Sequence, residues 1–335
     1  MNSLSGLRAS ALVFALLAGC ALGAGAQSCE TSSDLEEATR AAITSAGRGF
    51  FDMAAKGDAA TLRQNSIASL AADFSGIEST VKDRQPDLVG AQTTVKSVFL
   101  LDAEGSAPIP DAEFYCGVFG KSGQTSGSSV FSLANLPPGK YAVVLLDASS
   151  PKARTSFSLI LQQVGGAWKL AGLYLKPAQV GGHGADWFVA RAREYKTKGQ
   201  LHNAWFYYLE ARSLISPVSF MSTLATEKLY DESQSLQPAD LPAEGKTVDL
   251  MVGSAAYKLT AVFPVAVGND VDLIVKYQAA DVSNTQQAYQ NNVAVIKAVV
   301  AKYPEVRDAF AGVEARAVDS GGRDYGTLLA MKDIK

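Results

Sequence analysis

Residues 157–174, FSLILQQVGGAWKLAGLY, place two apolar arms around Val164-Gly165-Gly166. Both arms are rich in aromatic and branched side chains that suit a pleated surface. Paired glycines adopt the positive φ of a tight hairpin turn without strain. The stretch therefore predicts a β-hairpin, and the residues around it extend the pattern. Segments 94–101, 113–119, 141–147, 156–162 and 168–175 all read as strands separated by turn chemistry, including Leu136-Pro137-Pro138-Gly139 ahead of Tyr141-Ala-Val-Val-Leu-Leu.

Upstream of these strands the periodicity changes from two to between three and four. Ser33-Asp34-Leu35-Glu36 has the form of a capping box, in which the serine and the glutamate satisfy free N–H groups at a helix start. Leu35, Ala38, Ala42, Ala46, Phe50 and Met53 then lie on one helical face. Gly57 is suited to end that helix, Asp58 to cap the next, and 77–88 to form another. Helices followed by an antiparallel run of strands make an α+β plan.

This order resembles the nuclear-transport-factor-like fold, also called the ketosteroid-isomerase-like or cystatin-like cone, over residues 33–177. The resemblance is carried by Phe50-Phe51-Asp52-Met53-Ala54-Ala55-Lys56-Gly57-Asp58 and by the closing hairpin through Trp168-Lys169-Leu170-Ala171-Gly172-Leu173-Tyr174. It implies helices packed on a curved antiparallel sheet, with a cavity between them. It also implies that Phe50, Tyr115, Tyr141 and Tyr174 line that cavity and that Asp52, Asp73 or Glu113 would serve as base if the cone were an enzyme. A rival pattern is Phe131-Ser-Leu-Ala-Asn-Leu-Pro-Pro-Gly-Lys-Tyr141, which resembles the strand-turn-strand of transthyretin-like β-sandwiches. A sandwich leaves the preceding helices without a place, which favours the cone.

Gly181-Gly182-His183-Gly184 marks a boundary, and 187–217 resembles a single tetratricopeptide repeat through Tyr195, Gly199, Ala204, Tyr208 and Ala211. Ala192 and Pro217 depart from the repeat's usual pattern. A lone repeat cannot bury its own face, so a third helix over 224–233 is expected to complete a small helical connector. After the proline-rich 237–245 comes a second α+β domain, with a hairpin turn at Gly268-Asn269. Its helix carries the stripe Tyr289, Val293, Ile296, Val300 and Tyr303 and covers an antiparallel sheet. The expected divisions are thus 27–177, 178–236 and 237–335. The whole chain also resembles secreted proteins of environmental bacteria, which implies no activity.

Residues 1–26 follow the plan of a secretory signal peptide: Arg8, a short apolar run, then small residues ending at Ala24-x-Ala26. Leu17-Ala18-Gly19-Cys20 offers an alternative, cleavage after residue 19 with acylation of Cys20, which is the only expected route to a membrane. The exported chain is expected in the periplasm or outside the cell. Either cut leaves Cys29 and Cys116 as an even pair in an oxidising compartment, and a disulfide between them is expected. The 29 basic and 33 acidic side chains beyond residue 26 leave a net charge near −4, with no electrostatic footprint for nucleic acid.

Common catalytic routes find little material. The chain's two histidines, His183 and His202, lie outside the first domain, and no His/Cys/carboxylate spacing suits zinc. No G-x-S-x-G elbow is present. Gly117, Gly120, Gly123 and Gly127 lack the lysine and helix of a phosphate loop, and 268–272 is too short for a calcium loop. No catalytic residue, metal or cofactor is expected. The leading expectation is a non-catalytic envelope protein whose cone binds an apolar small molecule or a protein partner. The alternatives are an isomerase-, dehydratase- or cyclase-like enzyme using a carboxylate and a tyrosine, and a scaffold acting through the connector.

Overall fold

The computed structural model describes residues 27–118, 124, 125, 127–268 and 270–335. The leader with Cys20 and Ala24-x-Ala26, the loop residues Phe119, Gly120 and Gly123, and Asn269 of the hairpin turn lie outside the described residues. The fold is α+β, as the order of periodicities predicts.

The described residues begin with β1 (Gln27–Thr31), followed by four helices: α1 (Glu37–Ala55), α2 (Ala59–Gln64), α3 (Ala68–Ala72) and α4 (Ser75–Leu88). The strands β2 (Gln92–Ala103), β3 (Ile109–Cys116), β4 (Ser129–Leu136), β5 (Gly139–Ser149), β6 (Arg154–Val164) and β7 (Ala167–Pro177) come next. Five of them form an antiparallel sheet in the order β1-β2-β5-β6-β7. Gly57, at φ 70°, ends α1, and Asp58 caps α2 by accepting from the Thr61 N–H at 3.0 Å. At the start of α1 the capping differs from expectation. Asp34 accepts from the N–H and hydroxyl of Thr31, and the helix begins at Glu37 without a side-chain cap.

Both faces of this sheet are covered. Ala142, Val144, Leu146 and Ala148 of β5 join the helices in one core, with Ile43, Phe50, Phe51 and Phe157. The intervening Tyr141, Val143 and Leu145 face the opposite way, into a second core with Phe99, Phe114 and Phe131. A strand buried on both faces reads as an unbroken apolar run, which is why Tyr141-Ala-Val-Val-Leu-Leu shows no alternation. Helix α1 approaches the sheet closely at Gly47, where a methyl group would lie 2.8 Å from Val144 Cγ1.

The second core is roofed by a small sheet, β3-β4-β8, whose last strand (Met221–Thr223) arrives from the connector. Leu136-Pro137-Pro138-Gly139 thus carries the chain from one layer to the other. The main sheet thus carries a helical layer on one face and a second, smaller sheet on the other. Cys29 on β1 and Cys116 at the end of β3 form the expected disulfide, with Cα atoms 5.0 Å apart, and staple the two sheets at one edge.

The connector consists of α5 (Ala185–Thr197), α6 (Leu201–Ile215), β8 and α7 (Leu224–Gln234). Its repeat-like face is occupied within the chain. Tyr195, Phe206 and Tyr207 share one core with Phe310, Val299 and the rest of the last region. Tyr195 and Tyr207 donate to the Asp308 and Ala309 carbonyls at 2.9 and 2.8 Å. The proline-rich segment is pinned at two points: Leu241 is buried in the same core, and the Tyr303 hydroxyl donates to the Asp240 carbonyl at 2.9 Å.

The last region runs β9 (Val248–Val252), β10 (Ala255–Val267), β11 (Asp270–Gln278), α8 (Thr285–Lys302), β12 (Gly312–Val318) and β13 (Asp324–Ala330). Its sheet has the order β13-β12-β11-β10-β9. The sheet is antiparallel as expected except at one pair: β11 and β12 are parallel. The crossover through α8 returns the chain to the same end of the sheet, which requires parallel pairing. The expected stripe of α8 is buried at Ile296, Val300 and the following Tyr303, but its first half is shifted: Ala288, Asn292, Val295 and Val299 complete the buried face, Val293 is half-buried and Tyr289 is 47% exposed.

Candidate cleft at the mouth of the main sheet

The small sheet stops short of the β6–β7 hairpin and leaves an open cleft of about 560 Å³. Its floor follows from strand register. Gly165 and Gly166, at φ 58° and 83°, form the two-residue turn that pairs Val164 with Ala167. That turn sets Gln162 opposite Lys169, while β5 sets Tyr141 opposite Gln162. Tyr141, Gln162 and Lys169 therefore form one polar rung across three strands. Ile160 and Ala171 form the apolar floor beside it.

Two segments distant in sequence build the walls. Asn65 to Ile67, between α2 and α3, runs along the free edge of β7: Ile67 N–H donates to the Leu170 carbonyl and Leu170 N–H to the Asn65 carbonyl, both at 2.9 Å. Leu133 to Pro137, closing β4, forms the opposite wall. There Asn135 has φ 51°, a left-handed conformation that asparagine tolerates better than other side chains.

Within the rung, Gln162 Nε2 donates to the Tyr141 hydroxyl at 3.1 Å, and that hydroxyl donates to the Pro137 carbonyl at 2.8 Å. Burial holds the Tyr141 phenol above the ordinary tyrosine range. The Lys169 side chain is half-buried and, among the described residues, makes no ion pair or hydrogen bond, and none of the described residues lining the cleft is acidic.

The structure separates the four aromatics that the cone resemblance groups together. Tyr141 lines the cleft. Phe50 is packed in the core between helices and sheet at 4% exposure. Tyr115 lies on the outer side of β3 and donates to Glu113 at 2.6 Å, an interaction that raises its pKa. Tyr174 packs edge-on against Phe220 at 5.3 Å between ring centres. Asp52, Asp73 and Glu113 are exposed, and none of them lines the cleft.

The histidines take part in packing. His183 stacks on Trp187 with ring centres 3.9 Å apart. His202 bonds Glu305 through Nδ1 at 2.7 Å and Asp240 through Nε2 at 3.0 Å, tying α6 to the segments that flank the last sheet. Among the described residues no group of three or more histidine, cysteine or carboxylate side chains is placed to hold a metal, and no helix is long and apolar enough to cross a membrane.

A larger and more polar cleft, about 770 Å³, runs between the far end of the main sheet and α5. Its lining carries charge of both signs: Lys96 and Asp147 pair at 3.9 Å, Arg154 and Asp186 stand near them, and one face of Trp187 carries His183. The smaller cleft has the mainly apolar walls and the few converging polar groups of a small-molecule site. Sequence reasoning reached Tyr141 but missed Gln162 and Lys169, although the two-residue turn at Gly165-Gly166 places those two opposite each other. Comparison with protein-family models, with curated proteins and with solved structures finds no match to this chain, so fold and cleft geometry carry the functional reading.

Proposed function

We propose that this is an exported binding protein that holds an apolar small molecule in the cleft between the β6–β7 hairpin, the Asn65–Ile67 edge and the end of β4. The observation that carries the reading is an open, largely apolar cleft of about 560 Å³ in a domain whose helix–sheet interface is filled by its own side chains. That volume lies within the roughly 300–1,000 Å³ of small-molecule pockets. The carboxylates suggested by the cone resemblance lie elsewhere, which favours binding over proton transfer at this place. The repeat-like hairpin has its face covered by the last region, which favours the cleft over the connector as the binding element.

Export to the periplasm or the exterior is supported by the leader pattern of residues 1–26 and by the Cys29–Cys116 disulfide, a bond that persists in oxidising compartments. Membrane attachment requires acylation of Cys20.

An uncharged probe tests the binding reading separately from any head-group chemistry. Decan-1-ol should bind the wild-type protein with one-to-one stoichiometry by calorimetry. Ala134 is exposed on the cleft wall, so Ala134→Trp fills the opening while sparing the core. Displacing two methylenes at about 0.8 kcal/mol each weakens binding by about tenfold or more. The variant's melting temperature should match the wild type's. Equal affinity in the two proteins would place the alcohol elsewhere and overturn the assignment.

A further inference from the structure

Resting on the reading of the cleft as a ligand site, we propose that its ligand is an amphiphilic carboxylate, an apolar acyl or aryl body with one anionic head held by Lys169 and Gln162. The argument is one of charge and position. Lys169 stands on the polar rung of the floor, opposite Gln162, while its neighbours Ile160 and Ala171 are apolar. Among the described residues it has no ion pair, and none of those lining the cleft is an acid to answer its charge. Other half-buried cations have a partner of some kind: Lys176 donates to the Ser213 and Ser216 carbonyls at 2.8 and 3.0 Å, and Arg212 and Lys276 lie over the Tyr230 and Phe263 rings.

The donors on the rung match one carboxylate. Gln162 Nε2 spends one hydrogen on the Tyr141 hydroxyl, and its other hydrogen has no acceptor among the described residues. The Lys169 ammonium supplies the second donor and, among the described residues, the only positive charge on the cleft's lining. Tyr141 gives its own proton to the Pro137 carbonyl and acts as the brace that orients Gln162. One ammonium balances one negative charge. A doubly charged phosphate would leave charge unanswered against apolar walls, which is costly. The apolar body then lies along Ile160 and Ala171, between Ile67 and Leu133.

Four probes of equal chain length separate the possibilities: decanoate, decan-1-ol, decylammonium and decyl phosphate, each titrated into wild type and Lys169→Met. Methionine keeps the apolar stem and removes the charge. Decanoate should bind wild type about ten- to a hundredfold tighter than decan-1-ol, the range of a charge-assisted hydrogen bond. Decylammonium should bind more weakly than the alcohol, and decyl phosphate more weakly than decanoate. Lys169→Met should bring decanoate down to the level of the alcohol without changing the alcohol's own affinity.

Equal binding of decanoate and alcohol to wild type, or an unchanged preference in Lys169→Met, would overturn the head-group assignment while leaving the cleft reading intact. Tighter binding of decyl phosphate than of decanoate would overturn the choice of carboxylate. Failure of all four probes to bind would overturn the cleft reading itself and this inference with it.

Discussion

Replacing Cys29 and Cys116 together with alanine should lower the stability of the first region by about 4–5 kcal/mol, the chain-entropy value for a closed loop of this length. The bond joins positions 87 residues apart and holds the edge strands of two different sheets. Few other interactions hold β1. It has a single strand partner, β2, and its side chains are mostly exposed, although the Gln27 side chain accepts from the Glu113 N–H at 2.7 Å. Freed of the bond, β1 should exchange its amide hydrogens faster than β5 or β6. Urea unfolding should show a lower midpoint and a steeper slope, because the unbridged unfolded chain exposes more surface. Wild type under reducing conditions should superimpose on the double variant. A loss below about 1 kcal/mol would show that the sandwich edge closes without the staple.

The second large effect is expected at Asn292→Ala. This asparagine is fully buried on α8 and brackets the last sheet. The Tyr277 hydroxyl on β11 donates to its Oδ1 at 2.7 Å, while its Nδ2 donates to the Tyr325 carbonyl and to Thr327 Oγ1 on β13, at 2.9 and 3.0 Å. Removing the amide leaves the Tyr277 hydroxyl and the Tyr325 carbonyl buried without these partners. Each costs about 1–3 kcal/mol, so with the cavity the loss should reach about 3–5 kcal/mol. The neighbouring Asn291→Ala is the control. Asn291 is only half-buried and accepts from Tyr257 at 3.3 Å, so its loss should stay under about 1 kcal/mol. Chemical denaturation of the two variants compares them directly, and similar small losses would deny Asn292 its clamping role.

Asn292 also explains where the sequence misleads. A polar residue at the centre of a buried face breaks the apolar stripe, so periodicity shifts to Tyr289 and Val293, one position along the helix. Nothing local announces that its three hydrogen bonds are waiting on strands β11 and β13. The same holds for β1, QSCET, which is too short and polar to read as a strand and is held by pairing and a disulfide. In contrast, β5, β6 and β7 are legible because their apolar runs end at strong turn signals. The α5–α6 hairpin is legible because small alanines alternate with large aromatics. Parallel pairing of β11 with β12 was within reach, since one intervening helix implies a crossover.

The cleft was legible only in part. Register from Gly165-Gly166 sets Gln162 against Lys169, a local fact. The walls come from Asn65–Ile67 and Leu133–Pro137, which meet the hairpin only through tertiary packing. Phe50, Tyr115 and Tyr174 carry the same aromatic signal as Tyr141, yet one packs in the core, one hydrogen-bonds Glu113 on the outer side of β3, and one packs edge-on against Phe220. Residue type alone does not distinguish these environments.

The claim that this cleft is the binding site is tested most directly by a methyl-labelled NMR titration with decan-1-ol. Binding in the cleft predicts saturable shifts at Ile67, Leu133, Leu136, Ile160 and Val164, with the deep core methyls of Ile43 and Leu62 little changed. Saturable shifts centred away from those five residues, or no saturable shift at all, would contradict it.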